Sequence, residues 1–388
     1  MTVQEIENPL HRLTDEQIEA IGKEFDAIHE EVYADLGERD ARYIRSMVDM
    51  HRKLALTSRF LLLFSGNKAA WVAGTSMLSV TKILENMEIG HNIMHGQWDW
   101  MNDPYINSAT WDWDTASTAE AWKHSHNYVH HTYTNIRGLD RDLGYEIMRI
   151  DPHQKWNPAY LGQPVVNLLL MAFFEWGVAL HDLDFEALKT GEKKWPEVKR
   201  ELKGMGKKAY KQVMKDYIAF PALSGPKNFK KTVAANATAN VVRNFWSNAI
   251  IFCGHFPDQT YTFTQEETKD ESRGAHYVRQ LLGAANIEGS PLFHIMSGNL
   301  GFQVEHHLFP DMPSSRYAEI APKVRELCER YELPYNTGPF GKQWLGVQRT
   351  ILRLAFPGGK MRPKPGAYKR EEHPEHRVAK PRRQPVAA

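Results

Sequence analysis

The 388-residue chain is long enough for one large domain or two ordinary ones, and its 48 Lys+Arg against 47 Asp+Glu leave a formal net charge of +1. That balance gives no basis for nucleic-acid binding, and two cysteines, Cys253 and Cys328, exclude a disulfide scaffold and suit a reducing compartment. A mean hydropathy of −0.52 excludes a chain made mostly of membrane spans but leaves room for a few.

The opening residues, MTVQEIENPLHRLTDEQ, hold no apolar run behind a basic patch, so no secretory signal is expected. Thr14 and Gln17 form a capping box, with Leu13 and Ile18 placed as a hydrophobic staple. Ile18, Ile21, Phe25, Ile28 and Val32 then recur at helical spacing, which predicts a packing helix with one apolar stripe. A charged second helix, roughly Asp40 to Leu56, follows the break at Gly37.

Three later stretches are candidate membrane segments: Ala69–Leu84, Ala159–Leu180 and Val233–Phe256. None reaches the roughly 18–20 uninterrupted apolar residues of a lone span. Short membrane helices and buried helices of a soluble bundle fit them equally. Residues 182–231 are rich in Lys and Glu and read as surface helix and loop. Pro357–Ala388 holds nine Lys/Arg against three Glu, a net charge of +6 that leaves the rest of the chain at −5. With its prolines it reads as a disordered basic tail, suited to anionic lipid or merely to solubility. Internal repeats, CxxC pairs and Gly-rich phosphate loops are missing from the sequence, and there is little strand alternation anywhere, so an all-α fold is expected.

Eighteen histidines are the informative count, and three clusters concentrate them. The first is Glu88-Ile-Gly-His91-Asn-Ile-Met-His95. The second is His124-Ser-His126-Asn-Tyr-Val-His130-His131, and the third is Gln303-Val-Glu305-His306-His307-Leu-Phe-Pro310. Residues four apart share a helix face, about 6 Å apart along the axis, so His91 with His95, and His126 with His130, can each aim at one metal. Side chains of an adjacent pair diverge by about 100°, so His130-His131 and His306-His307 suit two neighbouring ions. A closed zinc site needs only four ligands, and a haem would leave the HisHis pairs unexplained. A histidine-rich pair of irons with room for O2 fits best, and implies oxidation of something unreactive.

These clusters resemble the histidine boxes of the membrane fatty acid desaturases: an HxxxH box, an HxxHH-type box and a late (H/Q)xxHH box. EIGHNIMHGQWDWMNDP, HNYVHHTYTN, RNFWSNAIIFCGHFPD and SGNLGFQVEHHLFPDMP are similar to the bacterial acyl-CoA Δ9-desaturases of the mycobacterial type. The likeness runs over roughly residues 40 to 350. It implies an all-α, membrane-associated helical bundle of about four short membrane helices, with the boxes converging on a di-iron site at the cytoplasmic face of a bacterial membrane. The parts would be N-terminal helices over 1–56, a desaturase domain over 57–356 and the basic tail over 357–388.

By the same resemblance the metal ligands are His91, His95, His126, His130, His131, His255, His306 and His307. One iron would take His91, His95, His126, His131 and His307; the other would take His130, His255 and His306, with Gln303 or a water completing the shell. Three departures stand out: the second box is one residue longer than HxxHH, the third opens with Gln303, and Ile251 stands where the animal stearoyl-CoA enzymes carry an Asn. Asn248, on the same helical face as His255, could hold a water instead. Asp99, Asn135 and Glu305 could orient ligand imidazoles, or serve as surface hydrogen-bonding groups. Five of the eleven tryptophans fall within residues 98–122, and Trp98, Trp100 and Trp122 are candidates for an acyl tunnel wall or for ordinary core.

The activity so implied is O2-dependent insertion of a cis double bond into a long-chain acyl thioester such as stearoyl-CoA. With no fused haem domain and no GxGxxG fingerprint, electrons from NAD(P)H would arrive through a separate flavin/iron–sulfur protein. A hydroxylase on the same boxes, which leaves oxygen in its product, and a non-catalytic metal- or haem-binding membrane protein are the alternatives.

Overall fold

Thr14 accepts a hydrogen bond from the Gln17 amide while Gln17 Oε1 accepts from the Thr14 amide, and this reciprocal cap starts helix α1 (Asp15–Ala34) in the computed structural model, which describes residues 8–257, 259–358 and 363–376. Its stripe of Ile21, Phe25, Ile28 and Val32 is buried against α9 (Arg273–Gly283), α10 (Gln303–Leu308) and α11 (Tyr317–Arg330). The α1–α9 crossing needs glycine on both sides. A Cβ at Gly22 would lie 3.1 Å from the Gly274 Cα, and one at Gly274 would lie 2.0 Å from the Ile18 carbonyl oxygen. The N-terminal helix thus belongs to the core cluster that carries the third histidine box.

Helix α2 (Glu38–Leu63) runs about two turns beyond the Leu56 end expected from sequence, then turns back through Ser65 into α3 (Lys68–Leu84). The antiparallel pair is tied at its turn to α8 (Phe229–His255): Ser65 Oγ lies 2.9 Å from Thr232 Oγ1, and Asn228 donates to the Leu63 carbonyl. A fourth leg, α7 (Trp195–Val213), continues through a π-helical Met214–Ala219 into Phe220–Leu223. It is fastened by a buried ion cluster in which Asp216 accepts from Lys82 at 2.7 Å and from Arg59 at 2.9 Å. The Lys-rich segment itself stays largely at the surface, as its sequence reads, with only Val198 and Gln212 buried along α7; it is Asp216, beyond the helix, that leaves water, paired with Lys82 and Arg59.

The second candidate membrane stretch is bent. Pro158–Ala172 and Phe174–His181 meet at 103°, the second half of the first being α5 (Gln163–Ala172) and the other α6 (Phe174–His181). Among the described residues no single helix is long and apolar enough to cross a membrane; this bent pair meets the length and composition test only when its halves are joined. The fold is mostly helical, with one short parallel pair, β1 (Asn286–Glu288) against β2 (Thr337–Pro339), in register Asn286 to Thr337. Beyond β2, α12 (Phe340–Leu354) packs on α5 through Gln163 and Asn167. Cys253 and Cys328 are free and buried.

Part of the tail differs from the unstructured expectation. Residues 363–376 lie on the body, with Tyr368 buried in the α1–α11 cluster and its amide donating to the Leu333 carbonyl. Residues 359–362 and 377–388 of the basic tail lie outside the described residues.

Candidate metal centre

Two helices reach the centre by unwinding. Helix α3 passes into a π-helical turn, Glu85–His91, before Asn92–Met94, and α4 is built from Ala119–Trp122, a π-helical Lys123–His130 and His131–Tyr133. Such turns add a residue per turn and recur where side chains must be re-aimed. Helix α8 ends on His255 and α10 carries His306 and His307.

The eight box histidines converge from these four elements. Nitrogens of His91, His95, His126 and His306 lie within 4.8 Å of one another, as do those of His130, His255 and His307. His131 stands between the groups, its ring 4.8 Å from His95 and 4.6 Å from His307. This differs from the partition implied by the resemblance, which placed His307 with the first group and His306 with the second. The two rings of α10 do diverge, but Tyr317 Oη lies 3.1 Å from His306 Nδ1 while Gln280 Oε1 lies 3.0 Å from His307 Nδ1, and these partners fix which way each faces. His126 and His130, placed on one metal by α-helical spacing, fall in different groups of histidines, but they also lie within 4.8 Å of each other together with Asp142, along a segment that is π-helical.

The fit to metal ions rests on orphaned atoms. His95, His126, His130, His306 and His307 each bury Nε2 without a hydrogen-bond partner, His255 buries Nδ1 so, and His131 buries both nitrogens. Buried imidazole nitrogens left unpaired at this density are costly unless something binds them. Burial, followed by the neighbouring rings, holds His95, His131, His306 and His307 well below the usual imidazole range, and His91 is pushed down to about 3 by burial and His126. Neutral imidazole is the form that ligates. His130 departs from this pattern: burial works to lower it, but the Asp140 carboxylate at 3.1 Å outweighs burial and raises it.

Of the other residues expected at the site, Gln303 sits where it can contribute, its Nε2 3.0 Å from His255 Nε2. Close approach at Gly254 allows this, since a Cβ there would fall 2.7 Å from Gln303 Cγ. Asn248 is buried with neither amide atom partnered. Asn135 and Glu305 do not touch an imidazole. Asn135 donates to the Tyr261 and Gly283 carbonyls, and Glu305 accepts from Asn286 and Tyr335. Asp99 is spent on Ser108. Trp122 stacks on His126 at 4.5 Å and lines a 60 Å³ cavity that also meets His91, Met87, Trp113, Phe174, Val178 and Ile251. Trp98 and Trp100 do not line it. The chain turns away at Gly96 (φ +79°), and Trp98 packs with Ile44, Ile89 and Ile93 instead.

The orienting groups that sequence reasoning missed are Asp140, Asp142, Tyr317 and Gln280. Asp142 lies 3.6 Å from His126 Nδ1 and accepts from His181 at 2.9 Å. Only Asp140-Arg-Asp142, beginning nine residues after the second box, carried a local hint; Tyr317 and Gln280 belong to other helices.

The fatty acid desaturase family matches residues 68–339. The chain is 48% identical over 348 residues to the NADPH-dependent stearoyl-CoA 9-desaturase of Mycobacterium tuberculosis, covering 89% of this chain and 82% of that one. It is 24% identical over 279 residues to the sn-1 linoleoyl-lipid 6-desaturase of Synechocystis, covering 69% and 75%, and 24% identical over 272 residues to the Delta(5) fatty acid desaturase A of Dictyostelium discoideum, covering 66% and 57%. With eight histidines brought to one buried centre and the family matched across most of the chain, this protein belongs to the fatty acid desaturases and is an oxidoreductase.

Proposed function

We propose that the protein is a di-iron acyl-CoA Δ9-desaturase. One iron is held by His91, His95, His126 and His306, the other by His130, His255 and His307, with His131 between them and Gln303 or a water held by Asn248 completing the shells. The observation that carries this reading is the set of imidazoles whose buried, unpartnered nitrogens gather in two groups. When bound, the irons supply the O2 chemistry that no side chain can. The reaction balances as –CH2–CH2– plus O2, two electrons and two protons giving –CH=CH– and two waters.

The chain's own residues position and shield. Trp122, Trp113, Phe174, Val178 and Ile251 offer an apolar wall beside His91 and His126. Methylenes of a long chain are chemically alike, so the site of the double bond is set by which carbons this wall holds against the ligands. Asp182, buried in the same wall, accepts from Ser117 and Ser125, and burial raises its carboxyl to about 6.

Electrons come from NAD(P)H through a separate flavin/iron–sulfur protein, a reading supported by the NADPH dependence in the mycobacterial relative's name. The site faces the cytoplasm from a bacterial cytoplasmic membrane; association with a membrane is supported by an apolar outer surface, where Leu56 and Phe60 on α2, Phe64 just after it, Val165 and Leu168 on α5, Phe173 just after it, Leu352 on α12 and Phe356 beyond its end are all exposed. Metal content and product analysis test the whole. About two irons per chain with conversion of stearoyl-CoA to oleoyl-CoA supports it. An oxygenated product makes the protein a hydroxylase, and a haem spectrum or a single metal removes the di-iron reading.

A further inference from the structure

Among the described residues one further group of ligating side chains lies away from the histidine boxes: His373, Glu375 and His376, each offering a nitrogen or a carboxylate oxygen within 4.8 Å of the others. The sequence His373-Pro-Glu-His376 explains the grouping. Pro374 opens a single 3-10 turn, Pro374–His376, and side chains three apart eclipse in such a turn, so the two imidazoles stack with centroids 5.1 Å apart. Tyr368 anchors them. It is buried in the α1–α11 cluster, its ring stacks on His373 at 5.1 Å, and its Oη lies 3.1 Å from His376 Nδ1, which leaves Nε2 as the nitrogen that can ligate. Burial, with the charge of Arg325 acting the same way, pushes His376 down to about 4, so the ring is neutral. Glu375 is held below the usual carboxylate range by its own backbone amide, and its Oε1 lies 2.9 Å from His373 Nδ1. Glu288 of β1 is within electrostatic reach of the group: burial and the Glu375 carboxylate raise its carboxyl, while His373 lowers it.

We propose that His373, Glu375 and His376 bind a divalent cation of the zinc class, and that this ion clasps residues 363–376 against β1. Two imidazoles and a carboxylate are a donor set for zinc-like ions, with a water or Glu288 as the fourth ligand. Ligands about 2.0–2.1 Å from a tetrahedral ion lie about 3.3 Å from one another. The three donor atoms therefore close on an ion by moving about 1.5 Å or less, which the partly exposed side chains of His373 and Glu375 accomplish by rotation. The clasp lies behind the third histidine box. Tyr335 packs edge-on to His376 at 6.4 Å and donates to Glu305 at 2.6 Å, while Asn286 of β1 donates to Glu305 and accepts from the Val304 amide. An ion bound here ties the C-terminal segment to the strand that holds α10 in place.

The test titrates full-length protein, purified from iron-supplied cells, with Zn2+ against a colorimetric chelator. Iron per chain is measured alongside, and the melting temperature without zinc reports folding of each variant. One zinc per chain is expected in addition to the iron. His373→Ala and His376→Ala are each expected to weaken its binding about tenfold or more, since even the outer partners of a ligand are worth about 10–100-fold. His11→Ala, at an exposed histidine outside the group, is expected to bind zinc as wild type does. Zinc is also expected to slow trypsin cleavage after Lys369 and Arg370 in wild type, less so in Glu288→Gln, and not at all in His376→Ala. No zinc beyond the iron, zinc that enters only by displacing iron, or zinc held as tightly by His373→Ala and His376→Ala overturns the site. Zinc bound there with cleavage unchanged overturns the clasp, and protection as strong in Glu288→Gln as in wild type overturns its tie to β1.

Discussion

His130 Nδ1 lies 3.1 Å from Asp140 Oδ1, and the same carboxylate accepts the backbone amides of Asn135 and Asp142. Asp140 is therefore itself held, and it fixes the tautomer of His130 so that the unpartnered Nε2 is left for the group it shares with His255 and His307. Asp140→Asn keeps the shape but loses the charge. It is expected to weaken iron retention or activity by about 10–100-fold, measured as iron per chain after graded chelator treatment. Retention equal to wild type would remove the orienting role.

Gly254 permits the contact between Gln303 and His255. Gly254→Ala places a methyl 2.7 Å from Gln303 Cγ, so the Gln303 side chain must leave His255 or α8 and α10 must move apart. A cost of about 1–3 kcal/mol is expected in thermal or denaturant unfolding, together with altered iron content. A variant as stable as wild type would mean that Gln303 swings away freely.

Glu88 is buried among Tyr43, Asn299 and Ser314, and burial raises its carboxyl to about 8 despite the hydrogen bonds they give it. Between the unfolded value near 4.5 and about 8, the folded protein keeps a proton that the unfolded chain releases. The resulting stability is complete below the lower value and is lost as pH rises through the upper one, at no more than about 1.4 kcal/mol per unit. Glu88→Gln removes this dependence. Melting curves of the two proteins between about pH 5 and 7.5 should converge or cross as pH rises, and parallel curves would show that Glu88 is ionised throughout.

Arg316 is buried against Asp40, with Nε 2.6 Å from Oδ1 and Nη2 2.7 Å from Oδ2, and this fork fastens the start of α2 to the turn before α11. Asp40→Ala leaves the guanidinium with the more exposed Asp35 and Glu319. A loss of about 3 kcal/mol is expected, read as a lowered unfolding midpoint. A loss below about 0.5 kcal/mol would show that those two carboxylates suffice.

What was legible in the sequence is what local chemistry dictates. The Thr14–Gln17 cap and the stripe from Ile21 to Val32 depend on residues within a few turns of one another, and so α1 begins and buries as its sequence requires. The histidine content of the site was likewise legible, because imidazoles in spaced pairs are the ligating groups themselves. Tertiary structure decided how they are shared. His306 and His307 face different groups because Tyr317 and Gln280, on α11 and α9, hold their Nδ1 atoms. The second box winds as a π-helix, which a 3.6-residue periodicity cannot register, and His126 there lies within reach both of the first group and, with Asp142, of His130. Residues 182–231 lie largely at the surface, as their Lys and Glu predict, with only Val198 and Gln212 buried along α7; what composition could not register is Asp216, which Lys82 and Arg59, far away in the chain, neutralise in the interior. Composition and spacing chose the chemistry; the contacts that aim it come from segments distant in sequence, where only the folded chain brings the partners within hydrogen-bonding reach.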